Sequence, residues 1–197
     1  MPEAGPPPSP RIDVRRLDAA SVEDFRAVHS AANGADWCRC VAWWTPTWEG
    51  WVQRTADETA ARRGALFARG EFDGYLLYEE DRPVGWCQVG AADRLHKLCH
   101  SYGITPEPGT QAISCFFLAP EARGRGLAHR LLEGVLADLR DRCTQILAFP
   151  RRGEELPADD VWTGPEGVFL RAGFREWRAD PARPVFLWSR RSDPSPD

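Results

Sequence analysis

The sequence predicts an α+β fold, a mixed sheet with helices packed against it, and three observations carry that expectation. Strand-like and helix-like segments follow one another without an internal repeat. Two strand-like runs, 74–79 and 84–89, are close enough to form a hairpin. An apolar run at 112–118 leads through a glycine-bearing loop into a strongly amphipathic helix.

The elements follow in order. Ile12, Val14 and Leu17 alternate as a short first strand. Ser21 with Asp24 three residues on resembles a capping box, opening a helix that carries Phe25, Val28 and Ala32. A tryptophan-dense stretch follows, with Trp37, Trp43, Trp44, Trp48 and Trp51. Asp57 to Arg69, rich in alanine, arginine and glutamate, reads as a second helix. In the hairpin, Asp81-Arg82-Pro83 supplies the turn chemistry. Residues 91–110 read as a long connection. The run from Ala112 to Leu118 has the apolar character of a buried strand, ended by Pro120. From Gly126 to about Arg142, Leu127, Leu131, Leu132, Val135, Leu136 and Leu139 recur at helical spacing. A strand at 146–149, a short helix around 167–172 closed by Gly173, and strands near 174–178 and 185–189 complete the chain.

The proline-rich, polar ends, 1–10 and 191–197, are expected to be disordered tails around one domain spanning 11–190. At 197 residues the chain can bury a core without staples, and 43% hydrophobic with 27% charged residues is globular composition. A net charge of −4 argues against a protein that coats nucleic acid, which needs a basic stripe. No apolar run approaches the ~20 residues that span a bilayer, and the start has no basic, apolar signal. The expected location is therefore the cytoplasm, with Cys38, Cys40, Cys87, Cys99, Cys115 and Cys143 as free thiols. Cys38 and Cys40, with His96, Cys99 and His100, lack the C-x-x-C spacing of zinc sites, so no metal is expected.

The chemistry-bearing segment runs from Phe116 to His129. A strand, then Arg123-Gly124-Arg125-Gly126-Leu127-Ala128, then a helix start presents unpaired backbone N–H groups and a partial positive charge to an anion such as phosphate. Arg123 and Arg125 can add charge. An ordinary strand-to-helix turn with solvated arginines has the same glycine spacing. A dinucleotide fingerprint fails because His129 stands where a small residue is needed. A P-loop fails because the only lysine is Lys97.

These six residues resemble the R/Q-x-x-G-x-G/A motif of the GNAT acetyltransferase superfamily. The likeness extends upstream to Pro83-Val84-Gly85-Trp86-Cys87-Gln88-Val89 and downstream to Arg171-Ala172-Gly173-Phe174. Trp37-Cys38-Arg39-Cys40 and Val161-Trp162-Thr163-Gly164 are similar to a bacterial branch of it. The resemblance covers about 11–190. It implies a mixed, mostly antiparallel central sheet with helices on both faces, and acyl transfer from acetyl-CoA to an amine. It also implies that Gly124, Arg125, Gly126, Leu127, Ala128 and His129 hold the pyrophosphate through their backbone, with Arg123 beside them. The pantetheine arm would pair with Phe116, Phe117 and Leu118. The implied partner is a small-molecule or peptide amine, with a homodimer left open and neither nucleic acid nor membrane.

Two departures bear on catalysis. The tyrosine that protonates the departing thiolate in many relatives is replaced by Phe169, which has no proton to give. The strand glutamate that serves some relatives as base is also absent, with Thr110, Gln111 and Ser114 in its place. Ser114, Cys115, Tyr102, His96 and His100 are candidates for ordering a water, each with a structural reading beside it. Trp86 and the tryptophans of 37–51 are either an acceptor wall able to hold a cationic amine or core. A non-catalytic acyl-CoA-binding module remains the alternative function.

Overall fold

The computed structural model describes residues 10–33, 40–51, 53–153, 156 and 161–190. The two expected tails, apart from Pro10, lie outside the described residues, as do Trp37, Cys38 and Arg39.

Among the described residues, seven strands form one sheet: β1 (Ile12–Arg16), β2 (Gly74–Glu79), β3 (Arg82–Ala91), β4 (Thr110–Leu118), β5 (Gln145–Ala148), β6 (Arg175–Arg178) and β7 (Val185–Ser189). Their spatial order is β1-β2-β3-β4-β5-β7-β6. All neighbours are antiparallel except β4 and β5, which are parallel. A parallel pair needs a crossover, and α4 (Leu127–Leu139) supplies it. The α+β sheet expected from the sequence is present, with helices on both faces.

One face buries Phe25 and Val28 of α1 (Val22–Asn33), Leu66 of α2 (Ala56–Ala68) and Leu98 of α3 (His96–Tyr102). The other buries the apolar stripe of α4, with Val168 and Phe169 of α5 (Glu166–Arg171). All six leucine and valine positions read from the helical spacing of α4 are buried. Gly134 lets α4 lie close to β1, since a Cβ there would come within 2.5 Å of Val14 Cβ.

Several local expectations are corrected. The hairpin turn is Glu80-Asp81, and Arg82 and Pro83 already belong to β3. Glu80 adopts φ 55°, the left-handed value that a two-residue connection requires to match strand twist. Pro83 fits inside the strand because the register slips between Leu77 and Tyr78, where its missing donor is not needed. At the start of α1, Ser21 pairs backward: Asp18 Oδ1 accepts from its hydroxyl at 2.8 Å and its N–H at 2.9 Å. Asp24 instead accepts the Tyr78 hydroxyl at 2.8 Å, joining α1 to β2. The reciprocal capping box belongs to α2, between Thr55 and Glu58. The connection expected at 91–110 contains α3, ended by Gly103 at φ 56°.

Candidate functional site

Two strands diverge near the middle of the sheet. β4 pairs with β5 only from Thr110↔Gln145 to Ile113↔Ala148. On its other edge it follows β3 as far as Leu118, but the register slips between Gln88 and Val89, leaving Ser114 as the extra residue. Such a bulge bends its strand, and this one sits just past the last β4–β5 pair. The Ser114 hydroxyl donates to Gln88 Oε1 at 3.0 Å across the bulge.

The chain itself runs through the gap. Phe116 N–H donates to Trp162 O at 2.6 Å. Pro165 bridges in parallel to Arg151, just beyond β5. Residues 162–165 thus lie between the separated strands. Gly164 permits this path: its φ is +100°, and a Cβ there would stand 2.8 Å from the Phe169 ring and 3.2 Å from Phe116 Cβ. Phe169 is fully buried, 6.1 Å from the Phe116 ring and 5.3 Å from that of Phe174. The position that could have held a tyrosine therefore adjoins the splayed half of β4, filled by a phenyl ring.

Past β4 the chain makes a 3-10 turn, Pro120–Ala122, and enters the glycine loop. Gly124 and Gly126 take φ 71° and 76°, the left-handed region that glycine occupies without penalty. Gly126 is the N-cap of α4 and offers no side-chain cap, so the N–H groups of Leu127 and Ala128 have no acceptor within the helix, while His129 N–H turns back to Gly126 O at 3.1 Å. A Cβ at either glycine would meet nothing within 4 Å. The backbone here is open to close approach by an anion.

The two arginines are engaged otherwise than the sequence suggested. Arg125 forms a two-pronged pair with Glu79, with Nη1 3.1 Å from Oε2 and Nη2 facing Oε1. Hydrogen bonds from Arg125 hold the Glu79 carboxyl below its usual range. Arg123 Nε donates to Leu118 O at 3.0 Å, and its guanidinium lies 5.6 Å over the Phe117 ring. Both side chains brace the loop, leaving the backbone N–H groups as its main anion-facing donors. His129 Nε2 lies 3.3 Å from Glu133, one turn along α4.

The water-ordering candidates separate. His96 and His100 are exposed on α3, and Cys115 is buried at 5% exposure. The Tyr102 ring packs 4.7 Å from that of Phe149, the residue following β5, and burial raises its pKa. Among the described residues no group of three or more His, Cys, Asp or Glu side chains converges as a metal site.

The tryptophans divide likewise. Trp86 is wholly buried, 4.6 Å from the Phe25 ring and stacked 5.9 Å from Phe72, so it is core. Trp43, Trp44 and Trp51 are buried, whereas Trp48 is 52% exposed. Trp43 stacks on Trp162 at 5.7 Å, linking this aromatic group to the gap beside β4. The face of Trp48 carries the protein's own cation, Lys97 Nζ, at 3.7 Å. Neither this lysine nor the segment at 162–165 is singled out as a site by motif reading. The only signal is that Lys97 is the sole lysine and that Gly164 precedes a proline.

Comparison with known proteins agrees with this geometry. The sequence model of the acetyltransferase (GNAT) family matches residues 37–163. No curated protein matches the sequence. Among solved structures, an acetyltransferase from Thermus thermophilus is similar at 16% identity and a TM-score of 0.56, over 90% of this chain and 96% of that one. The PaiA N-acetyltransferase from Thermoplasma acidophilum, solved in complex with coenzyme A, is similar at 10% identity and a TM-score of 0.54, over 91% and 99%. A GNAT family acetyltransferase from Brucella melitensis, solved with acetyl-CoA, shares 14% identity over 91% and 88%, with a TM-score of 0.50. Sheet order, the parting of β4 from β5, the glycine loop and the family match converge: the chain belongs to the GNAT acetyltransferase family.

Proposed function

We propose that this protein is an N-acyltransferase that moves an acetyl or other short acyl group from acyl-CoA to an amine, acting in the cytoplasm. The observation that carries the reading is the open, uncapped N-terminus of α4 at the end of a strand that has parted from its neighbour. The backbone N–H groups from Gly124 to His129 hold the pyrophosphate, using the helix dipole and the absence of any Cβ at the two glycines. The edge of Phe116, Phe117 and Leu118 that faces away from β3 receives the pantetheine arm in place of Trp162, and Phe116 N–H, released from Trp162 O, is the donor that polarises the thioester carbonyl. In the transfer, the amine nitrogen bonds to the acyl carbon, the carbon–sulfur bond breaks, the amine gives up a proton and CoA leaves as a thiol. The protein's contribution is mainly to hold the two reactants in line. Free thiols at Cys87, Cys99, Cys115 and Cys143 fit a reducing compartment. Among the described residues no helix is long and apolar enough to cross a membrane.

CoA at one hundred times its dissociation constant stabilises the folded state by about 2.7 kcal/mol. For a domain of this size that raises the melting temperature by about 5–10 °C. No shift in folded protein at millimolar CoA would overturn the reading. A non-catalytic acyl-CoA binder is favoured by one observation, the fully buried phenyl ring of Phe169 where an acid could stand. Thiol release from acetyl-CoA across a panel of amines distinguishes the two.

Because Phe116 N–H already donates to Trp162 O, pairing of the arm with β4 requires that hydrogen bond to be exchanged. The Trp162 ring, stacked on Trp43, then changes surroundings. CoA is expected to alter the tryptophan emission, and Trp162→Phe is expected to remove most of that change while keeping the melting shift. An undiminished emission change in the variant would mean that the arm does not displace this segment.

A further inference from the structure

Lys97 is the only lysine in the chain, and it is buried on α3 at 1% exposure. Its Nζ lies 3.7 Å from the centre of the Trp48 ring and 5.3 Å from that of Trp51. Among the described residues it has no hydrogen-bond partner, and no carboxylate pairs with it. Arg54 sits 5.6 Å from the other ring of this pair, Trp51. Arg62 donates through Nη2 to Trp44 O at 3.2 Å, leaving its buried Nε without an acceptor. The indole N–H groups of Trp43 and Trp44 are buried donors without acceptors as well. Burial, followed by the like charges of Arg54 and Arg62, pulls the Lys97 pKa down to about 8. This is a concentration of donors and positive charge that no carboxylate among the described residues pairs with.

An unpaired ammonium below the surface is costly, because water is removed and no counter-charge replaces it. The aromatic faces recover part of that cost. They cannot supply an acceptor for the three N–H bonds of an ammonium. A cationic acceptor is disfavoured here by repulsion from Lys97, Arg54 and Arg62. An anion is favoured by all three. The location adds a second constraint. Trp48 lies 6.0 Å from Trp43, and Trp43 stacks on Trp162, whose carbonyl takes the Phe116 N–H. The cationic cluster is thereby joined, ring to ring, to the divergence of β4 and β5.

We propose that Lys97, roofed by Trp48 and Trp51, binds the carboxylate of a small acceptor whose amine reaches the splayed half of β4. This identifies the acceptor class as amino carboxylates, and it rests on the acyltransferase reading above. The single ammonium suits one carboxylate group, and the exposed Trp48 is the wall through which it enters.

The test is binding of the ω-amino carboxylates from glycine to 6-aminohexanoate, each beside its neutral carboxamide, measured by calorimetry on wild type and Lys97→Met. At least one chain length is expected to bind wild type ten-fold or more tightly as the carboxylate than as the amide. In Lys97→Met that preference is expected to fall to near unity. The variant is also expected to melt at or above the wild-type temperature, because methionine fills similar volume without an unpaired charge. A structural role for the lysine predicts the reverse, a lower melting temperature. Equal binding of acid and amide, no binding of either across the series, or a preference that survives Lys97→Met would each overturn the proposal. The CoA-induced melting shift is read separately on wild type. Carboxylate preference without a CoA shift retains the anion site and removes the acyltransferase reading. A CoA shift without carboxylate preference removes this inference alone.

Discussion

Gly126→Glu is expected to reduce CoA affinity by at least about 100-fold while the protein remains folded. The glycine is the N-cap of α4 at φ 76°, and a Cβ there would meet no atom within 4 Å. The side chain therefore has room at the helix start where the pyrophosphate is proposed to sit. A non-glycine residue in the left-handed region costs about 1–2 kcal/mol. A carboxylate beside the positive end of the helix returns about 0.3–1 kcal/mol of that. The melting temperature should fall by only a few degrees, since about 1 kcal/mol corresponds to roughly 2–4 °C here. Binding suffers more, because the new charge occupies the anion's place and repels it. A loss of 100-fold corresponds to about 2.7 kcal/mol. Gly126→Ala carries the same backbone strain without the charge, so the difference between the two variants isolates electrostatics from geometry. If the glutamate variant is folded and its CoA-induced shift is undiminished, the phosphate site lies elsewhere.

The second large effect is on stability. Gly164→Ala is expected to lower the melting temperature by about 4–24 °C. Its φ of +100° is strained for any residue with a Cβ, and the added carbon would stand 2.8 Å from two atoms of the Phe169 ring. Strain of this kind costs about 1–3 kcal/mol, and overpacking a filled core costs a further 1–3 kcal/mol or so. The converted range follows from roughly 2–4 °C per kcal/mol. Phe169→Leu opens space on the ring side, so combining the two should recover part of the loss. A double-mutant cycle should then show a coupling of about 1 kcal/mol or more, within the range found for residues in contact. A Gly164→Ala protein that melts with wild type would mean that residues 162–165 do not pack between β4 and β5 as described.

Periodicity explains why so much of the fold is legible. In α4 the apolar residues recur at three and four positions, and a helix facing one side of a sheet must bury that stripe, so its span and its buried set follow directly. The β2–β3 hairpin is visible for the same reason, with strands bounded by turn residues. Its turn reads too late along the chain because proline and arginine resemble turn chemistry locally. The register slip at Leu77 that admits Pro83 into a strand depends on the partner strand. The seven residues of α3 offer Leu95 just before the helix and Leu98 within it as a periodic signal, too short a pattern to stand out in a connection of that length. Asp24 reads as a capping partner because Ser21 precedes it by three residues. Its actual partner, Tyr78, is brought in from β2 by the packing of α1 on the sheet.

The site divides along the same line. Sequence alone determined the glycine loop, because Gly124 and Gly126 are needed where φ is positive and the chain must turn into α4. It also determined that Phe169 carries no proton. Tertiary structure alone decided that Arg125 belongs to Glu79, that Trp162 takes the donor of Phe116, and that Lys97 Nζ is buried with no hydrogen-bond partner among the described residues. The physical reason is range. Backbone conformation is set by residues a few positions apart, so a motif can encode it. Pairing, burial and unanswered charge depend on which distant segments the closed fold brings into contact, and only the three-dimensional packing specifies that.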